Sequence, residues 1–355
     1  MIRRKETKEI EIGNRVIGGG NPILVQSMTN THTGDLKRTL KQIKELEKAD
    51  CDIVRIAVPD EESCRNIGFL KENVKIPLVA DIHYDYRLAI MAIERGADKV
   101  RINPGNIGKR KNIKKIVKKA KERGIPIRIG INAGSLEKDL WKKYGRPVPE
   151  ALVESTLRNI EIVESFGFHN IVISIKSSSV LDTLEANRVI SQKIDYPIHL
   201  GLTEAGPILR GTVRTTSGLS ILLYMGIGDT IRVSLTGHPV EEVKIGYQIL
   251  QSLELREHGP IIISCPTCGR MEIDLISIVK KVEKRLSKIK QNITIAIMGC
   301  VVNGPGEAKM ADVGIAGGKG MGVVFRKGKI VKSVVEGKLF DALLSEIEKM
   351  VKSKK

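Results

Sequence analysis

The sequence predicts an α/β protein: an N-terminal (β/α)8 barrel over residues 1–254, followed by a small α+β domain over residues 255–355. Three observations point there. An apolar, strand-like run followed by an amphipathic helical stretch recurs eight times. The cadence then stops at Glu254-Leu255-Arg256-Glu257-His258-Gly259-Pro260, which reads as a linker. Beyond it, three cysteines sit on turns that follow two apolar runs.

A short polar lead-in comes first. The strand-like runs are then Ile23–Met28, Asp52–Val58, Pro77–Ile82, Lys99–Pro104, Pro126–Asn132, Asn170–Ile175, Pro197–Thr203 and Thr230–Leu235. Helical patterns follow each, over roughly 35–49, 61–73, 85–95, 110–123, 149–166, 181–194, 207–224 and 240–254. Gly or Pro marks the joints, as in Gly124-Ile125-Pro126. Eight such units suit a closed barrel better than an open sheet, and no glycine-rich dinucleotide fingerprint follows the first strand. After the linker come a strand before Cys265, a helix from about Ile273 to Lys290 and a strand before Cys300. Strands near Asp312–Ala316, Gly322–Arg326 and Lys329–Val335 and a closing helix from Lys338 complete the chain.

Composition narrows the function. At 355 residues the chain can hold a barrel and a second domain, and its 3% aromatic content leaves little to stack on bases. The net charge of +18 favours acidic partners, and the shortage of aromatics ranks a phosphate ligand above nucleic acid. Many of the lysines belong to a solvated face: in the stretch after Lys109-Arg110-Lys111, Ile113, Ile116, Val117 and Ala120 recur at helical spacing. No run of eighteen apolar residues and no signal-peptide-like start is present, so a cytoplasmic protein without a membrane partner is expected. Five cysteines, an odd and low number, argue against a disulfide framework.

Alternate residues along a strand face opposite sides. One set, including Val100, Ile102, Ile127, Ile129, Ile131, Ile173, Ile175, Leu200 and Ile231, is wholly apolar and should face the helices. The other carries Asp81 and His83, Arg101 and Asn103, Arg128 and Asn132, Ser174 and Lys176, His199 and Thr203, and Arg232 and Ser234. It should face the lumen, which in such barrels is ordinarily filled with branched apolar side chains. A cationic lumen is costly unless its groups pair or bind something. Arg55, Arg101, Arg128 and Lys176, on separate strands, therefore indicate an anion site. Polar or glycine-bearing turns close several strands, and Glu204 in Thr203-Glu204-Ala205-Gly206 is a carboxylate at the barrel mouth. It would either neutralise an arginine or move protons.

Ser264-Cys265-Pro266-Thr267-Cys268-Gly269-Arg270 places a C-x-x-C pair after one apolar run, and Cys300 opens a turn after another. Structural zinc would need a fourth Cys or His, with His258 nearby in sequence. A redox dithiol would leave Cys300 unexplained. An iron–sulfur cluster needs about four ligands, and the spacing favours it over zinc. Glu307, after Asn303-Gly304-Pro305-Gly306, can reach back as a harder, more readily displaced ligand. Cys51 and Cys64 read as small buried hydrophobes.

These residues resemble those of the 4-hydroxy-3-methylbut-2-en-1-yl diphosphate synthases. The resemblance rests on Pro22-Ile23-Leu24-Val25-Gln26-Ser27-Met28-Thr29, Ala80-Asp81-Ile82-His83, Arg101-Ile102-Asn103-Pro104-Gly105-Asn106 and Arg128-Ile129-Gly130-Ile131-Asn132-Ala133-Gly134-Ser135-Leu136. It continues through His199-Leu200-Gly201-Leu202-Thr203-Glu204-Ala205-Gly206, the Cys265–Cys268 turn, and Met298-Gly299-Cys300-Val301-Val302-Asn303-Gly304-Pro305-Gly306-Glu307. It implies reductive ring opening of 2-C-methyl-D-erythritol 2,4-cyclodiphosphate in the methylerythritol phosphate route to isoprenoids. It implies a [4Fe-4S] cluster held by Cys265, Cys268, Cys300 and Glu307 in a sulfite-reductase-like domain. Arg55, Asp81, Arg101, Asn103, Arg128, Asn132, Lys176, Thr203 and Ser234 match or adjoin the family's substrate positions. Glu204 is the expected proton donor, with His83 as its alternate. Reduced ferredoxin or flavodoxin is the implied electron donor. The implied assembly is a homodimer in which one subunit's cluster domain closes over the other's barrel. The rival readings are a zinc-stabilised phosphate- or nucleic-acid-binding barrel without redox activity and a redox-inert synthase of pterin type.

Overall fold

The computed structural model describes residues 2–286, 289–300 and 308–353. The chain forms two compact units, Met1–Arg256 and Glu257–Lys355.

The first unit opens with a hairpin where the sequence reading had only a polar lead-in. Strands β1 (Ile10–Ile12) and β2 (Arg15–Ile17) pair antiparallel across Gly13, whose φ of 58° suits glycine in a tight turn. Ile10, Ile12 and Ile17 pack on Leu24, Ile53, Val79 and Val172, at the N-terminal ends of barrel strands. The hairpin therefore seals the barrel floor with apolar side chains. The alternation Ile10-Glu11-Ile12 was its only sequence signal, and it is three residues long.

Eight parallel strands follow: β3 (Leu24–Met28), β4 (Ile53–Ala57), β5 (Leu78–Asp81), β6 (Lys99–Ile102), β7 (Ile127–Asn132), β8 (Ile171–Lys176), β9 (His199–Gly201) and β10 (Thr230–Arg232). They join in the order β8-β7-β6-β5-β4-β3-β10-β9. A parallel bridge from Ile173 to Ile198 closes the ring. Each strand is followed by a helix that covers it, from Leu36–Lys48 after β3 to Pro239–Ser252 after β10. The helix starts follow the local chemistry: Asp35, Asp60 and Ser179 each accept a backbone N–H of the first turn. The lysine-rich helix Arg110–Arg123 buries Ile113, Ile116, Val117 and Ala120 and leaves its lysines outward. Two short helices, Pro104–Ile107 and Lys138–Tyr144, lie in the connections after β6 and β7 and had no counterpart in the periodicity.

The second unit is one sheet of five strands: β11 (Ile261–Ser264), β12 (Thr294–Met298), β13 (Val313–Gly318), β14 (Met321–Arg326) and β15 (Lys329–Val335), in that order. The first three run parallel and the last three antiparallel. Ile295, Ile297, Val313, Ile315 and Val324 meet the helices Leu275–Leu286 and Leu339–Ser353 on one face. Ala296, Met298, Ala316 and Phe325 pack against Ala308 and Ala311 on the other. No helix among the described residues is long and apolar enough to cross a membrane.

Candidate functional site: a cationic barrel lumen and a cysteine turn

The strand alternation is realised in the barrel. Val100, Ile102, Ile127, Ile129, Ile131, Ile173, Ile175, Leu200 and Ile231 are buried in the shell between strands and helices. The opposite faces bring the charged side chains together in the lumen. At their centre is Asp81, which is 4% exposed. Its Oδ1 accepts from Arg101 Nη1 at 3.1 Å, and its Oδ2 lies 3.7 Å from Arg55 Nε and 3.4 Å from His83 Nε2. Burial by itself raises the Asp81 pKa, but Arg55, His83, Arg101 and Arg128 override it and hold the carboxyl below the usual carboxylate range. Arg101 Nη2 also donates to the Gly130 carbonyl at 3.3 Å and, with the Asn132 amide oriented to satisfy both its ends, to that side chain at 3.2 Å.

Two glycines make the room for this cluster. A Cβ on Gly130 would stand 2.4 Å from Arg101 Nε, and one on Gly201 would stand 2.7 Å from Lys176 Nζ. Only the absence of a side chain lets these cations cross the lumen at those strand positions.

A second network lies beside the first. Lys176 Nζ is 3.3 Å from His199 Nε2, and His199 Nδ1 is 2.8 Å from Thr230 Oγ1. Arg232 pairs with Glu242 at 3.4 Å, and Glu242 also accepts from Ser27 Oγ and from the Leu235 backbone N–H. The lumen thus holds six basic side chains, Arg55, Lys99, Arg101, Arg128, Lys176 and Arg232, against two carboxylates, Asp81 and Glu242. The imbalance is visible atom by atom. Lys99 Nζ, Arg101 Nε, Arg128 Nε and Nη1, Arg232 Nε and both amide atoms of Gln26 are buried without a hydrogen-bond partner. Burial pushes Arg55 down to about 10 against the pull of Asp81. Burial, and then the neighbouring cations, also lower Arg128, Lys176, Lys99 and His199 well below their ordinary values. Such a set attracts a multiply charged anion.

The remaining residues expected at the site surround this cluster. Asn103 works on the adjoining loops: its Oδ1 accepts from the Gly105 N–H at 3.1 Å and its Nδ2 donates to Ser135 Oγ at 2.8 Å. Thr203 and Ser234 are half-buried just past the ends of β9 and β10. Glu204 is exposed and takes a left-handed φ of 54°, uncommon outside glycine. Its carbonyl accepts from Arg214 Nη1 at 3.3 Å, and among the described residues its carboxylate pairs with no arginine. Of its two sequence readings, neutralising an arginine is therefore not what this conformation shows.

In the second unit, β11 and β12 pair in parallel with Ser264 opposite Ile297. Cys265 and Cys300 therefore emerge at the same end of adjacent strands. The Gly299 N–H donates to Cys265 Sγ at 3.2 Å. Cys268 is exposed, Cys265 half-buried and Cys300 buried. Among the described residues, no three Cys, His, Asp or Glu side chains form a group able to hold a metal ion. Glu307 and the turn before it lie outside the described residues. The soft donors, their shared strand end and the N–H···S bond fit a thiolate-ligated cluster. Cys51 and Cys64 are buried in the barrel unit, where burial pushes both thiols up to about 12.

Residues 7–247 match the family model described as GcpE TIM-barrel domain, and residues 261–349 match that of the GcpE protein C-terminal domain. The chain belongs to the GcpE family. Among GcpE relatives, it is 61% identical over 353 residues to a protein of Caldanaerobacter subterraneus subsp. tengcongensis named 4-hydroxy-3-methylbut-2-en-1-yl diphosphate synthase (flavodoxin), covering 99% of each chain. A Clostridium tetani protein of the same name is 57% identical over 345 residues, covering 97% of this chain and 99% of that one. In fold, the GcpE chain is similar to a dihydropteroate synthase of Yersinia pestis (TM-score 0.51, 9% identity, 70% of this chain and 100% of that one). It is similar also to that of Stenotrophomonas maltophilia (TM-score 0.50, 13% identity, 70% and 98%). At such identity the likeness is one of fold alone.

Sequence reasoning missed three members of the GcpE lumen. Lys99 and Gln26 are both fully buried and unpartnered, and Glu242 is buried against Arg232. Lys99 was findable, because it stands in phase with Arg101 and Asn103. Glu242 was not, because an acidic residue near a helix start ordinarily serves the helix dipole.

Proposed function

We propose that this chain catalyses the reductive ring opening and dehydroxylation of 2-C-methyl-D-erythritol 2,4-cyclodiphosphate to 4-hydroxy-3-methylbut-2-enyl diphosphate, the product carried in the names of its relatives. The observation that carries the reading is the surplus of buried, unpartnered cationic atoms in the lumen. A cyclic diphosphate supplies the missing negative charge and several acceptor oxygens at once.

Arg55, Arg101, Arg128 and Lys176 would hold the diphosphate oxygens, with Asp81 keeping Arg55 and Arg101 in place between visits of the substrate. Asn132, Thr203 and Ser234 would orient the carbon skeleton, and Asn103 would brace the Gly105 and Ser135 loops. Binding energy from the phosphates thus positions a distant C–O bond. Glu204 Oε would give the proton with which the departing oxygen leaves as water, and His83 Nε2 is the alternate donor. Cys265, Cys268, Cys300 and Glu307 would hold a [4Fe-4S] cluster, which supplies the two electrons singly. Reduced flavodoxin, named with the relatives, or ferredoxin would refill it, and their acidic surfaces suit a chain of net charge +18. The enzyme would be a homodimeric, cytoplasmic iron–sulfur oxidoreductase acting on CH or CH2 groups.

The test begins with protein purified without oxygen. Brown colour, iron and sulfide in equal amounts, and conversion of the cyclic diphosphate with reduced flavodoxin support the reading. Colourless protein with bound zinc and no turnover refutes it.

A further inference from the structure

Lys99 and Arg232 are the lumen cations to which the family resemblance gives no task, and of the two only Lys99 has no carboxylate partner. It stands on β6 two residues before Arg101, fully buried, with Nζ unpartnered. In register it is opposite Val79, one of the apolar floor residues, so it is rooted at the bottom of the anion site. The polar and charged groups of the lumen come from all eight strands: Gln26 from β3, Arg55 from β4 and Asp81 from β5. Arg101 shares the strand of Lys99, and Arg128, Lys176, His199 and Arg232 follow from β7 to β10. His83 and Glu242 complete the charged set through Asp81 and Arg232.

A guanidinium gives up its proton less readily than an amine or an imidazole does. Asp81 and Glu242 are already engaged by the lumen arginines. Any adjustment of positive charge in the deep lumen therefore falls first on Lys99, Lys176 and His199. The hydrogen bonds agree, because His199 Nε2 faces the Lys176 amine and can accept from it only as a neutral imidazole.

We propose that Lys99, with Lys176 and His199, forms a proton-accepting floor of the anion site: short of protons in the free barrel, it takes them up as a diphosphate enters. Burial, followed by Arg128 and Arg55, lowers Lys99, and burial with the same guanidiniums lowers Lys176 and His199. An entering anion reverses that balance, so protonation replaces side-chain movement as the response to charge. Lys99 becomes a binding residue by this route, since its Nζ gains charge when the anion does the pairing. The inference rests on the diphosphate reading of the lumen. Ring opening also frees one more ionisable phosphate oxygen, and the same floor would absorb that added negative charge.

Titration calorimetry on the full-length holoenzyme decides this. The cyclic diphosphate and, separately, inorganic pyrophosphate are titrated near neutral pH in buffers of low and high ionisation enthalpy. Net proton uptake on binding is expected with wild-type protein, and a smaller uptake with Lys99→Met, which keeps an unbranched side chain of similar bulk without its charge. Buffer-independent heats in the wild type overturn the proposal whether or not the variant folds, as does undiminished uptake in folded K99M. Pyrophosphate binding with proton uptake, but no binding of the cyclic diphosphate, supports the proton-accepting floor and refutes the functional reading. Binding of neither anion overturns both.

Discussion

Asp81 Oδ1 accepts from Arg101 Nη1 at 3.1 Å, with both side chains about 95% buried. The same carboxylate faces Arg55 and His83, so one acidic group orders three donors on three consecutive barrel strands or their ends. Asp81→Asn should destabilise the protein by ~3 kcal/mol or more, the usual effect of breaking a buried pair from one side. The expected signature is a lower urea midpoint with an unchanged slope.

The same carboxyl sets an acid limit. Its folded pKa is depressed, so the unfolded chain binds the proton more readily. Its stabilising contribution is present above the unfolded value of ~3.9 and fades as pH falls from there toward the folded value. Acid titration followed by circular dichroism should show a stability loss below about pH 4 that D81N partly lacks.

Gly130→Ala tests the space given to Arg101. The added methyl would stand 2.4 Å from Arg101 Nε and force that guanidinium aside. The barrel should still fold, since Gly130 lies in regular strand backbone without a positive φ. Affinity for the cyclic diphosphate should fall at least about tenfold, or ~1.4 kcal/mol. Unchanged affinity would remove Arg101 from the binding set.

Glu204→Gln separates proton transfer from binding. The variant should keep its fold, its iron and its affinity for the cyclic diphosphate, and lose turnover by ~100-fold or more. Full activity would shift the assignment to His83.

The cysteines divide by environment. In metal-free protein at neutral pH, iodoacetamide should modify exposed Cys268 first and spare Cys51 and Cys64, whose thiols are buried and pushed up to about 12. Peptide mass mapping gives the order. Cys265→Ser should abolish iron retention while leaving Cys51 and Cys64 equally protected.

The strand–helix cadence, the inward and outward faces of the strands and the cysteine-bearing strand ends were all legible in the chain. Each depends on residues close in sequence: Ile127, Ile129 and Ile131 declare an outward face within one strand. The same alternation also announced that the lumen would be cationic. The hairpin Ile10–Ile17 was not legible, because three-residue strands carry too short a pattern and gain their meaning from the floor they cover.

Which charge meets which partner was decided only in three dimensions. Asp81 and Arg101 are twenty residues apart in sequence, and Ser27 and Glu242 are 215 apart. The sequence therefore determined that basic groups would converge, since period-two alternation fixes the direction of each strand residue. The tertiary structure decided that Arg55 and Arg101 share one carboxylate while Lys99 and part of Arg128 are left without a partner. The physical reason is that pairing and desolvation depend on register and barrel closure, which bring together side chains that no local pattern relates.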